Sequence, residues 1–562
     1  MSRFLTLALL FVLVACEQGQ QTSSSINKPN NDVLPVDTLY HNGTIWTGLS
    51  GAGDAQMLAT KAGKIVYVGD GSGVQFKATR SVDLKGQFMS PGFIDNHVHF
   101  IDGGAGLASV DLRDANTREE FVRRIGDYSQ TLPEGRWVLY GNWDHELWGG
   151  ELPTRHWIDA VTGDTPVFVM RLDWHMGLAN SAALKLAGID KNSTAPADGE
   201  IVRDAEGEPS GVLKDGAMNA VLDVIPARTD DEFLAAFVAA QNHALSLGVV
   251  QVHAMPANPK ERTLLPALQK VQAAGAFKMR VYAMSPIEYW EELAAKIATE
   301  GTHKGKLRWG GVKGFVDGAL GSSTAWFYDP YDDQPSNSGF PLTQPERLRA
   351  LITAADDAGL KLNIHAIGDR AIDELITAFR ETGGHATLAH RFRIEHFQHP
   401  SEQAIALAAR SGIIAAMQPY HAIDDGRWAE KRIGEARSKT TYAFRSILDS
   451  GGLLSFGSDW PVAPLSPIEG IYAAVTRQTT DGAKPAGWQP QQKITVTEAL
   501  RAYTSVNAYA GFEENQAGTL EVGKRADLVI LSDDPRKVAP DAIRTIEVVT
   551  TIVDGDVVYE HE

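Results

Sequence analysis

Cysteine is almost absent from this 562-residue sequence: Cys16 is the single one, which excludes an intramolecular disulfide. Positive charge is also the scarcer sign, with 52 lysines and arginines against 70 aspartates and glutamates, for a net charge of −18. Such a surface repels phosphate backbones and excludes a nucleic-acid partner. The apolar run from Phe4 to Ala15 is too short to span a bilayer comfortably. What the chain does have is apolar content of 43 % and 53 glycines spread along its length, enough for a large core with many tight turns.

One basic residue, Arg3, precedes the Phe4–Ala15 run and small residues end it, the layout of an export signal over residues 1–16. Leu13-Val14-Ala15-Cys16 resembles a bacterial lipobox, which implies a lipid anchor on Cys16 and a membrane partner. A plain secretory signal with an incidental cysteine is the alternative. Glu17 stands where an aspartate would favour inner-membrane retention, so the expected location is the outer membrane, facing the periplasm. Residues 17–34 are polar, lack hydrophobic periodicity and are expected to be a disordered tether.

Beyond the tether, both ends of the chain alternate apolar and polar residues between Asn-Gly, Gly-Asp and Asp-Gly turns. Residues 35–90 and 515–562 are therefore expected to build one composite β-sandwich. The middle, 91–514, alternates apolar runs with amphipathic helical stretches. Eight runs read as strands: Gly92–His97, Val249–His253, Met279–Ala283, Gly311–Val316, Leu362–His365, Phe392–His396, Ile413–Met417 and Leu454–Ser458. That pattern predicts an α/β fold, a (β/α)8 barrel. The long gap after the first run far exceeds a normal βα connection, so residues 108–228 are expected to form an inserted subdomain.

His97 and His99 sit two apart where a strand would share one face between them. An H-x-H pair alone is weak, but His365, His396 and Asp459 also fall at predicted C-terminal ends of strands. That end is where barrels carry their chemistry, and nitrogen with carboxylate oxygen suits zinc and similar divalent ions. Lys313 lies inside an apolar run, where a charged ammonium is costly. It either pairs with Asp317 or another carboxylate, or reacts with carbon dioxide to give a carbamate able to bridge two cations.

At "SPGFIDNHVHF", "GNWDHELWGGELPTRHWID", "RLDWHMGLANSAAL", "GVKGFVDGALGSSTAWFYDPY", "NIHAIGDRAID", "RIEHFQHP", "MQPYH", "SFGSDWPV" and "GTLEVGKRADLVILSDDP" the chain resembles the amidohydrolase superfamily. Within it, the match is to amidohydrolase family 3, the YtcJ-like group that includes N-substituted formamide deformylases. The resemblance runs in order from about Asp37 to Tyr559. It implies a barrel with a composite β-sandwich, a first metal on His97 and His99, and a second on His365 and His396. It further implies a carboxylated, bridging Lys313 and an Asp459 that is both ligand and proton shuttle.

The implied activity is hydrolysis of a C–N bond, amide or N-formyl, in a small molecule, using one or two divalent ions, zinc foremost. Bound to such an ion, water ionises near neutrality. Carbamates, esters and cyclic amides stay open as substrates, as does a non-catalytic substrate-binding lipoprotein and a homo-oligomeric state. His175 either binds substrate and the developing oxyanion or is structural. Trp143, Trp148 and Trp174 either wall the substrate pocket or pack the insertion. Gln418 and His421, after the seventh strand, are expected to contact substrate. Asp317 either orients a ligand at the site or caps its loop.

Overall fold

Parallel strands covered on both faces read as near-continuous apolar runs, and eight such runs form the central barrel. In the computed structural model, residues 33–257, 262–384 and 387–561 are described. Cys16 and the tether up to residue 32 lie outside them, and so does the expected lipid anchor. The barrel strands are Phe93–Val98, Val249–Ala254, Arg280–Pro286, Leu307–Phe315, Lys361–Ala366, Arg393–His396, Ile414–Met417 and Leu453–Phe456. Each pairs in parallel with the next, as the α/β barrel pattern predicts.

The barrel is nearly closed. First and last strands meet through the chain just past the eighth, where Asp459 N–H donates to His97 O at 2.7 Å. His99 N–H donates to Trp460 O at 2.8 Å, and Val98 bridges Trp460 in parallel. This closure explains Gly457: a Cβ there would lie 2.4 Å from Asn96 Oδ1 and 2.8 Å from His97 N. Helices cover the outside. Asp230–Ser246 begins with a capping box of Thr229 and Glu232, which satisfies backbone donors at its first turn.

Strands from both ends of the chain share one eight-stranded sheet. Leu528–Leu531 runs antiparallel to Phe88–Pro91, so the two ends are joined by main-chain hydrogen bonds. Tyr40, Ile45, Leu58, Leu528 and Ile552 pack into its core. A third sheet lies within the long gap, in the order Gly199–Arg203, Pro209–Asp215, Met176–Ala179, Val167–Arg171, Val138–Trp143. The hairpin between Val167–Arg171 and Met176–Ala179 carries Asp173, Trp174 and His175 in its turn. Among the described residues no helix is long and apolar enough to cross a membrane.

The expectation that Trp143 walls the substrate pocket is corrected. Its side chain is 0 % exposed among Phe121, Trp148 and Trp157 in the insertion's own core. Its Nε1–H donates to Val169 O at 2.8 Å. Trp148 packs against the same core, which leaves Trp174 as the tryptophan of the three at the cavity. Trp143→Ala is therefore expected to cost about 3–5 kcal/mol of stability, read by chemical denaturation. A KM raised in the folded variant, without that stability loss, would contradict the placement.

Candidate metal centre

The first strand delivers His97, and the chain then turns into a helix, Phe100–Gly106, with His99 at its N-cap. His99 thus lies one residue past the strand, yet both imidazoles face one carboxylate. His97 Nε2 is 3.5 Å and His99 Nε2 3.3 Å from Asp459 Oδ1. The sixth strand ends on His396, whose ring centroid is 4.8 Å from that of His97 and 4.4 Å from that of His365. The fourth strand brings Lys313 Nζ to 3.2 Å from His97 Nε2. His365, from the fifth strand, sits alongside with Nε2 at 3.1 Å from Gly318 O.

The backbone at this mouth is unusual. His396, Asp459 and Trp174 have φ of +73°, +60° and +62°, a region non-glycine residues rarely occupy. Such conformations persist where surrounding structure over-determines them, and they gather at functional sites.

Burial sets the charge states. It pushes His97, His365 and His396 well below the ordinary imidazole range, and neighbouring positive charge adds to the effect. Neutral imidazole is the form that donates a lone pair to a cation. Burial also pulls Lys313 down to about 8, against the opposing charges of Glu395 and Asp459.

The residues fit a divalent cation. Ligand atoms about 2.0–2.2 Å from an ion lie within about 4.4 Å of one another, and the His97 and His99 distances to Asp459 meet that limit. His99 Nδ1, His421 Nε2 and Asp459 Oδ1 are buried without a hydrogen-bond partner. Among the described residues two sets of three bring their ligand atoms within 4.8 Å of one another: His97, His99 and Asp459, and His396, His421 and Asp459.

A cavity of about 670 Å³ opens over this centre, walled by Trp174, His175, Met170, Phe315 and His421 among others. The ring of Trp174 stacks on His99 at 5.5 Å. His175 Nδ1 lies 2.5 Å from Asp215 Oδ1. Burial alone would lower His175, but the charge and hydrogen bond of Asp215 overcome it and hold the group raised.

Two expected substrate contacts lie elsewhere. Gln418 is fully buried behind the centre, its Oε1 3.0 Å from His396 Nδ1, and it does not line the cavity. Asp317 likewise stays off the cavity wall, because its carboxylate accepts the backbone N–H groups of Trp326, Ile367 and Gly368. Of the two readings of Asp317, the loop cap accounts for these bonds. Burial raises it to about 7, against those three bonds.

Glu395 does not stand out in the sequence, although it directly precedes His396. Its Oε2 is 2.5 Å from His97 Nδ1, and Arg393 holds its other oxygen at 2.8 Å. A carboxylate on the far nitrogen of a ligating histidine fixes the tautomer and ring orientation. Asp215 also escapes a sequence reading, since its partner His175 lies 40 positions away, in a hairpin turn of the insertion sheet.

An eight-stranded parallel barrel with histidines and a carboxylate at its C-terminal mouth fits a metal-dependent enzyme. A family model described as Amidohydrolase family matches residues 80–559, and the chain belongs to that family. The chain is 30 % identical to the putative amidohydrolase YtcJ of Bacillus subtilis over 93 % of its length and 100 % of that protein's. It is 29 % identical to the N-substituted formamide deformylase of Arthrobacter pascens, over 90 % of this chain and 95 % of that one. An uncharacterized metal-dependent hydrolase from Pyrococcus horikoshii superposes with a TM-score of 0.72 at 30 % identity, covering 90 % of this chain and 99 % of its own.

Glu395→Gln is expected to weaken metal binding by about 10–100-fold, measured by calorimetric titration into metal-stripped protein. Wild-type affinity in that variant would show that Glu395 does not position His97.

Proposed function

We propose that this hydrolase cleaves a C–N bond, of the amide or N-formyl kind, in a small molecule held in the cavity over His97, His99 and Asp459. The observation that carries the reading is the convergence on Asp459 Oδ1, a buried oxygen without a hydrogen-bond partner, of His97 and His99 Nε2 at 3.5 and 3.3 Å. The name of the Arthrobacter relative, a formamide deformylase, supports the choice of bond.

A divalent cation held by these residues would ionise a water near neutral pH and polarise a carbonyl. The chain's own groups supply the rest. Asp459 accepts the proton of the attacking water and returns it to the departing amine nitrogen. His175, with Nδ1 engaged by Asp215, is left with Nε2 to donate toward the carbonyl oxygen as negative charge builds there. Trp174, stacked on His99, and Phe315 form apolar walls that hold the amine substituent and exclude water. Lys313, buried and drawn toward neutrality, is the group that carbon dioxide would convert to a carbamate with release of one proton.

Metal-replete protein assayed on N-formyl amines, N-acyl amines, carbamates and esters is expected to turn over the C–N substrates fastest. In Asp459→Asn, kcat on the best of them is expected to fall about 10²–10⁴-fold at equal metal loading. Hydrolysis confined to esters would reject the bond assignment, and full activity of Asp459→Asn would reject the proton transfer.

We also propose that a lipid on Cys16 tethers the chain to the bacterial outer membrane, facing the periplasm. The support is the apolar run from Phe4 to Ala15 ending on Leu13-Val14-Ala15-Cys16. In Cys16→Ser the protein is expected to leave the membrane fraction of fractionated cells. Retention there would reject the anchor.

A further inference from the structure

The helix after the seventh strand, Pro419–Asp425, carries His421 and, about one turn on, Asp425. Trp428 follows, its backbone N–H donating to Asp425 O at 2.9 Å. Asp425 and Trp428 both border the cavity that reaches His99 and Asp459.

Trp428 is 6 % exposed, and its Nε1–H is buried without a hydrogen-bond partner. A buried donor left so is costly. The ring itself is well held, with Arg171 Cζ 5.6 Å and Arg432 Cζ 5.8 Å from its centroid. Those guanidiniums are committed elsewhere, Arg171 to Asp173 at 2.8 Å and Arg432 to Glu146 at 3.0 Å. The indole is thus fixed by neighbours that make no use of its N–H.

Asp425 supplies an acceptor on the same wall. Gln398 Nε2 donates to the Tyr442 hydroxyl, which in turn donates to Asp425 Oδ2 at 2.6 Å. That chain occupies one carboxyl oxygen and leaves Oδ1.

Charge narrows what can dock there. An added cation would meet Arg171 and Arg432, which already flank the indole. An added carboxylate would meet Asp173 and Asp424, which also border the cavity. Burial pushes Asp425 itself up to about 7, against the Tyr442 hydrogen bond, so it is a weak counter-charge for an ammonium near neutral pH. An uncharged group with one acceptor and one donor suits the pair, and an amide has both.

We infer that Trp428 and Asp425 form a recognition subsite for an uncharged, amide-type group of the substrate, its oxygen on the indole N–H and its N–H on the carboxyl oxygen. The substrate is then a small molecule with two amide-like ends, one cleaved over the metal ligands and one only bound. This rests on the reading above that the cavity holds the substrate.

Methyl ketones in which CH2 replaces the scissile N–H of an N-acetyl amine test binding without turnover. Built on alkyl spacers of graded length, they end in a carboxamide, in an isopropyl group of similar shape, in a carboxylate or in an ammonium. Each is titrated by calorimetry into the metal-loaded full chain. At its best spacer the carboxamide is expected to bind about tenfold or more tightly than the other three, because a site built around hydrogen bonds rejects an isostere that lacks them. Trp428→Phe keeps a ring and removes the N–H, so the advantage of carboxamide over isopropyl is expected to fall to about twofold or less.

Equal affinity of carboxamide and isopropyl in wild type, no measurable carboxamide binding, or tighter binding of either charged ligand would overturn the inference without any variant. So would an undiminished advantage in Trp428→Phe. Carboxamide-selective binding without hydrolysis of any matching N-acetyl or N-formyl amine would instead reject the C–N reading and leave the subsite standing.

Discussion

Asp459 donates its backbone amide to the carbonyl of His97 at 2.7 Å, and much of the molecule depends on that bond. It ties the last strand region to the first and so closes the barrel at its C-terminal mouth. The same geometry sets the Asp459 carboxylate against His97 and His99. Closure and ligand placement are one event: if the first and eighth strands separated, three ligands would separate with them. The positive φ of Asp459 and the bare Gly457 beside it are local costs of bringing the two chain segments so close.

The eight strands were legible because a strand buried on both faces must be apolar along its length, which leaves a short, recognisable run. Polar groups at the ends of those runs then stand out, and His97, His99, His396 and Asp459 do meet. Glu395 and Gln418 were harder to place. Glu395 lies 298 positions from His97, and its side chain acts across the barrel interior. Gln418 follows a strand as a substrate-binding residue would, and its turn toward His396 is set by the helix that starts at Pro419. Trp143 was ambiguous for a different reason: a tryptophan near a site and one in an adjacent core have the same local sequence.

Buried ion pairs fasten the insertion to the segment beyond the seventh strand. Asp144 receives Arg171 from its own sheet and Arg427 from beyond the seventh strand, at 3.3 and 2.7 Å. Glu146 meets Arg432 at 3.0 Å, and Arg171 also pairs with Asp173 in the hairpin turn at 2.8 Å. These are buried ion pairs, and removing one member would strand the other without compensation. In that arrangement the acids of the "WDHE" stretch, Asp144 and Glu146, join two parts of the fold.

The hairpin that carries Trp174 and His175 belongs to a sheet with a hydrophobic core of its own, apart from the one beneath the metal ligands. The metal ligands are thereby built on one piece of architecture, and the oxyanion contact and apolar wall proposed for His175 and Trp174 on another. A change in the length or aim of that turn would alter both what is accepted and the help His175 gives the reaction, while the barrel beneath keeps its ligands in register.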